Sequence, residues 1–469
     1  MKKELAVLDS LKSYEVARLI PTLPESKKEE RATSLLLATF RVIPIYALSL
    51  LSEAGAPGGV RARIYGFTEI VPKSKNGAKL RPDGLVVVET GRSTWSAIIE
   101  AKIGNNQLSL SQLEAYIDLA RLIGCEAIIT ISNQFATLPT HHPVSISKAK
   151  LGKLGLYHFS WLSLVANAVL LAKHREVDDP EQAFILDELI RYLQHPRSGV
   201  SLMTEMGEGW KSTCSQILQG MKLLKSTANV MQAVESWEQL TRYLALQLTL
   251  AVSKPVSIYL TRAESKDSEQ RIRYQIDELI SQQALSDGFE IPNAAGKLRI
   301  SANFSRRALD FSMSVVSPKN NKFATAPINW LLRQIQSEDS NILIRASWPG
   351  RTPATMEFVH KLRNDASLIL PQGCNTLPTG LEVVKVVDLA GSFQQKRKFV
   401  EIAQSELIKF YRDVGQHLRN WVPLAPKIKP EDKSQPADLV EEARIPDTGQ
   451  VWAREIFDTD KTDDSPNSS

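Results

Sequence analysis

The stretch from Arg81 to Gly104, RPDGLVVVETGRSTWSAIIEAKIG, places charges where apolar strands would otherwise run unbroken. Asp83 opens one strand-like run, and Glu100 and Lys102 interrupt the end of the next. A charge buried in a sheet without a partner is so costly that it neutralises or recruits one. Two carboxylates converging beside an ammonium suit phosphodiester hydrolysis assisted by a divalent cation. Their hard oxygens hold the ion, which polarises the phosphate and lowers the pKa of a water, while the lysine orients that water or stabilises developing charge. The same residues also read as a salt-bridged strand end, with Asp83 capping a turn before Gly84.

Four [DE]xK triplets occur, at Glu25/Lys27, Glu100/Lys102, Glu264/Lys266 and Glu431/Lys433. Only the second is embedded in an apolar run. There, period-two alternation puts Ile98, Glu100 and Lys102 on one face and Ala97, Ile99, Ala101 and Ile103 on the other. A turn over 89–94 folds the preceding strand back as an antiparallel neighbour and carries Asp83 towards Glu100. Downstream, SLSQLEAYIDLARLIG sets Leu113, Tyr116, Ile117, Ala120 and Ile123 at helical spacing. Gln112 and Tyr116, four apart, share a helical face and can reach one site. Gln112 also reads as the far end of a capping box begun by Ser109, and Tyr116 as a core residue.

These residues need elements to hold them. Residues 26–55 read as a long helix that opens with a Ser26–Glu29 capping box, kinks or breaks at Pro44 and stops at Gly55. RARIYGFTEIVP and LRPDGLVVVE read as strands joined by the polar loop KSKNGAK, WSAIIEAKI as a third strand and CEAIITIS as a fourth. The order helix, three strands, helix, strand describes an α/β module over 1–145. A helical region over 146–253 follows, packed on that module or leading away from it. A separate α+β domain is expected over 254–425, and an acidic, Pro-punctuated disordered tail over 426–469.

RPDG followed by IIEAK resembles the PD-(D/E)xK motif of the restriction-endonuclease-like superfamily, and the element order is similar to that superfamily's αβββαβ core. Gln112 and Tyr116 in SQLEAY resemble the QxxxY signature of its RecB-like and Cas4-like branch. The resemblance spans about residues 26–135 and implies a Mg²⁺-dependent DNA nuclease in which Mn²⁺ can substitute. It assigns Asp83 and Glu100 as metal ligands, Lys102 to the attacking water, and Gln112 and Tyr116 to positioning the strand or the ligands. The family often adds an acid from the first helix or first strand, and Glu30 and Glu69 both qualify as that metal ligand. By the same analogy the chain is an effector of restriction or anti-phage defence, with DNA and other protein subunits as partners. The rival is a catalytically silent subunit that uses the nuclease-like fold to bind nucleic acid or protein.

The formal charge is +5 over 469 residues, but the run from Pro426 holds eleven acids against six bases. The rest of the chain therefore carries about +10, which would attract a polyanion or merely favour solubility. No apolar window reaches the roughly 18 residues of a membrane span, and Glu4, Asp9 and Glu15 sit where a secretory signal needs its apolar core, so a cytoplasmic protein is expected. Cys125, Cys214 and Cys374 lack ligand spacing and read as small buried hydrophobes. His141 and His142 precede Pro143 and read as a solvated turn. No GxxxxGK[ST], GxSxG or HExxH motif is present. Basic stretches mixed with aromatics, SRRALDF, SPKNNKF, ASWPGR and QQKRKF, suit either phosphate contacts with base stacking or solvated loops.

Overall fold

Pro44 ends one helix and begins another. Without an N–H it fits only the first turn of a helix, and the run expected as one long helix is two, α1 (Lys28–Val42) and α2 (Pro44–Leu51), meeting at 110°. Gly55 closes the run at φ +84°, as its position predicts. The expected capping box does not form: Lys27 occupies the cap position without a side-chain bond, and Glu29 is used elsewhere. The computed structural model describes residues 5–422 except 25, 60, 74–79, 92, 105, 107, 201–202, 319–321, 374–375 and the side chain of 268. Cys374, most of the KSKNGAK loop and the tail from Pro426 therefore lie outside the described residues.

The first sheet has the order β1 (Leu11–Val16), β2 (Arg63–Pro72), β3 (Gly84–Glu89), β4 (Thr94–Ala101), β5 (Ala127–Ser132), β6 (Gly155–Ser160). The first four strands run antiparallel and the last three parallel. The parallel joins need crossovers, made by α3 (Leu110–Ile123) and by the segment containing α4 (Lys148–Leu151). Strands β1 and β6 extend the expected four. Alternation fills both faces: Val86, Val88, Ala97 and Ile99 meet α1, α2, α5 (Trp161–His174) and α6 (Pro180–Gln194), while Leu85, Val87 and Ile98 meet α3. Gly66 and Gly84 allow α1 this close, since a Cβ on either would come within 2.7 Å or 2.6 Å of the Leu37 side chain.

The second sheet is antiparallel throughout, in the order β12 (Thr355–Phe358), β11 (Ile342–Ser347), β13 (Gly380–Asp388), β10 (Ala308–Val315), β9 (Leu298–Asn303), β8 (Ala284–Glu290), β7 (Ser257–Ile258). Its core also takes in α7 (Glu208–Leu218), α8 (Ala228–Val252), α9 (Ser268–Gln282), α10 (Ala326–Leu332), α11 (Val359–Leu362) and α12 (Lys396–Asp413). The molecule is thus mixed α/β with two sheets. The helical stretch 146–253 is shared out, α5 and α6 to the first core and α7 and α8 to the second, and one compact unit runs to Val422. Among the described residues no single helix is long and apolar enough to cross a membrane.

Candidate active site

The amide of Ala101 lies past the start of β3, so no strand carbonyl faces it. Asp83 takes that place: its Oδ2 accepts from Ala101 N at 2.8 Å. The β3–β4 register, Gly84 opposite Ile99, puts Asp83 level with Glu100 and on the same side of the sheet. Glu100 is buried at 2 % exposure. Its Oε1 accepts from Lys102 Nζ at 2.6 Å and from Gln112 Nε2 at 2.7 Å, whereas its buried Oε2 has no partner. Lys102 is fixed on both sides of its peptide, its N–H donating to Ile131 O at 2.7 Å and its carbonyl accepting from Trp161 Nε1 at 3.0 Å.

Gln112 and Tyr116 arrive from α3. Ser109 caps the helix by accepting from Gln112 N at 3.2 Å, but the Gln112 side chain does not turn back to complete a box. It donates instead to Glu100 Oε1 and, at 3.3 Å, to the Tyr116 hydroxyl. That hydroxyl donates onward to Arg81 O at 3.4 Å, tying the loop before Asp83 to the helix. Tyr116 is also buried on the apolar stripe, so it serves core and site together.

A third acid joins them, and it is neither of those expected. Glu30 lies in the same helical turn but pairs with Lys27 at 3.2 Å. Glu69 is exposed, in the left-handed region at φ 52°, where β1 and β2 slip register, and it does not reach the site. The acid is Glu29. Its Oε1 accepts from Ile103 N at 3.0 Å and Asn106 Nδ2 at 2.7 Å, and its Oε2 lies 3.7 Å from Lys102 Nζ. The close seat of α1 on Gly66 and Gly84 lets its first turn reach round the end of β4. Asn106 was also missed, since an Asn in a loop carries no periodic signal.

Burial, then the neighbouring charge of Glu100, holds the Asp83 carboxyl well above the usual range, against the pull of Ala101 N–H and Lys102. Burial likewise raises Glu100, with Lys102 and then the Tyr116 hydroxyl opposing. For Lys102, burial pulls down while Glu100, Asp83 and Glu29 together push up by more, so it stays an ammonium at neutral pH. Burial and then Glu100 raise the Tyr116 phenol, which remains a neutral donor.

Three acids share one ammonium, and one buried carboxylate oxygen has no donor; a hard divalent cation relieves both deficits. Among the described residues no group of three or more His, Cys, Asp or Glu side chains is placed to hold a metal ion. Asp83 and Glu100 are the two carboxylates here that could serve one.

Beside the site, a cleft of about 850 Å³ opens at Gly104 and Asn106. Glu205, Glu208, Glu235, Glu238 and Glu269 line it with Arg242, but Glu238 is paired with Arg242 and Arg271, and Glu205 and Glu208 with Lys396. His141 and His142 are not a solvated turn. His141 is buried and donates from Nε2 to Ser265 O at 3.1 Å, while His142 meets Thr130 Oγ1 at 2.8 Å, as does His158. Burial brings His142 down to about 4 and His158 to about 3, so both stay neutral. Cys125 and Cys214 are free and buried, their thiols pushed up to about 12, as expected of inert core residues. Compared with known protein families, curated proteins and solved structures, the chain matches none.

Proposed function

We propose that the chain is a divalent-metal-dependent nuclease acting on DNA, with Asp83 and Glu100 as the residues that would hold Mg²⁺ or Mn²⁺. The observation that carries this reading is the open, buried Oε2 of Glu100 in a strand-end cluster where carboxylates outnumber cations. The helix, three strands, helix, strand order around it supports a restriction-endonuclease-like core. When bound, the cation supplies Lewis acidity at the scissile phosphate and lowers the pKa of water.

The protein's own residues divide the remaining work. Lys102, held as an ammonium, balances negative charge developing on the phosphate and orients the nucleophilic water; it is no general base. Gln112 fixes the Glu100 carboxylate, leaving the second oxygen free. Tyr116 and Glu29 are positioning residues: the first holds the Arg81–Asp83 loop, the second locks the backbone at Ile103.

The test is cleavage of linear and circular DNA with Mg²⁺ or Mn²⁺ by the full chain and by Glu100→Ala and Lys102→Ala. Loss of about 100-fold or more in each variant is expected, the usual scale for removing a group that stabilises transition-state charge. Equal cleavage by both variants and the parent excludes this site.

A further inference from the structure

Part of the basic stretches that stand out in the sequence is spent on ion pairs. Arg306 pairs with Asp310, Arg397 with Glu401, and Lys396 with Glu208. Two arginines that no sequence pattern singles out behave otherwise. Arg333, just after α10, and Arg419, after α12, are exposed and make no ion pair among the described residues. They line one recess of about 650 Å³ together with Trp330, Trp421, His417 and Gln336, and no acid among the described residues lines it.

The recess is built rather than accidental. Arg419 N donates to Gln334 Oε1 at 2.7 Å, and Trp421 N to Val316 O at 2.9 Å. Asn420 binds the neighbouring chain twice, accepting from Val316 N at 2.8 Å and donating to Ala295 O at 2.6 Å. The run carrying Arg419 and Trp421 is thereby fixed against the end of α10. Both tryptophans are half-buried and line the recess.

We propose that this recess binds a nucleotide unit, an unpaired base with its phosphate, remote from the carboxylate site in sequence. Guanidinium forks match phosphate oxygens two at a time, indoles stack on any base, and free amides such as Gln336 read base edges. The volume lies within the range of small-ligand sites. A single-stranded nucleic acid and a free nucleotide carry the same chemistry, and the experiment separates them. The inference stands apart from the cleavage reading, because binding is measured without metal.

Fluorescence anisotropy of a labelled dT₁₅ strand in EDTA gives the affinity of the full chain. Trp330→Ala is expected to weaken binding by about 5- to 100-fold, the scale of losing one stacked base. The double variant Arg333→Ala/Arg419→Ala should weaken it too and flatten the salt dependence by about 0.7 per lost phosphate contact. Arg191→Ala, an exposed residue of α6 paired only with Glu188, should bind like the parent. Competition with dTMP identifies the source: displacement points to free nucleotide, persistence to the strand. Unchanged thermal unfolding shows that the variants fold. Binding unaltered in both recess variants, or equal affinity for a duplex of the same length, overturns the proposal.

Discussion

Two clusters of buried charge sit in this molecule, and they are finished differently. Between α8, α9 and β8, Glu238 accepts from Arg271 Nε at 2.5 Å and from an Arg242 guanidinium nitrogen at 2.6 Å. Arg271 also meets Asp287 Oδ2, and Asp287 Oδ1 accepts from Gly288 N at 3.0 Å. Arg242 spends its other donors on Thr137 Oγ1 and Phe135 O at 2.7 Å and 3.0 Å. Two acids face two guanidiniums, and every carboxylate oxygen has a donor. At the end of β4, three acids face one ammonium and a buried oxygen has none. A closed network fixes how elements pack, whereas an open one is tolerated only because the surrounding fold overdetermines it. Excess negative charge that the fold holds open is the property a cation site needs.

Breaking the closed network should cost most. Arg271→Ala leaves Glu238 and Asp287 buried without their shared cation, and a loss of about 3–5 kcal/mol in urea unfolding is expected. A loss below about 1 kcal/mol would show that this cluster, too, is open to water. The next effect separates the clusters by cation response. Mg²⁺ at 100 times its Kd should stabilise the parent by about 2.7 kcal/mol in thermal unfolding, and the Glu100→Ala variant not at all. The same response in Glu100→Ala would place the cation elsewhere. Lower pH should weaken the effect, because the raised Asp83 and Glu100 carboxyls take up protons sooner than ordinary acids and compete with the ion.

Much of the open cluster was legible in sequence because a strand's two-residue period is rigid. Ile98 and Glu100 fall on one face, Ala97 and Ile99 on the other, and the packing follows. Four residues of helix likewise bring Gln112 to Tyr116. Glu29 was illegible because the buried stripe Ala32, Thr33, Leu36, Leu37 serves Glu29 and Glu30 alike, and only contact with Ile103 and Asn106 separates them. Strand β8 is hard to read for a related reason. An Asp-Gly pair favours a turn, yet Leu285, Asp287 and Phe289 alternate inward, and Arg271 on α9, sixteen residues earlier, makes the buried aspartate tenable. A charge inside an element is readable only when its partner is near in sequence, as Lys102 is to Glu100 and Arg271 is not to Asp287.

The smallest expected effect tests the comparison most directly, because it reverses the sign seen for Arg271. Asp83→Asn keeps an oxygen to accept from Ala101 N while removing a charge that burial and Glu100 both disfavour. With its folded pKa raised above the unfolded value of about 3.9, Asp83 contributes stability that is complete below that value. That contribution is lost as pH rises through the folded pKa. The asparagine does not titrate, so without metal the variant should exceed the parent by on the order of 1 kcal/mol at pH 8 and match it near pH 4. Urea unfolding in EDTA at the two pH values measures the difference. A variant less stable than the parent at pH 8 would mean that Lys102 and Ala101 already satisfy the Asp83 charge, leaving the β4 cluster as closed as the one around Arg271.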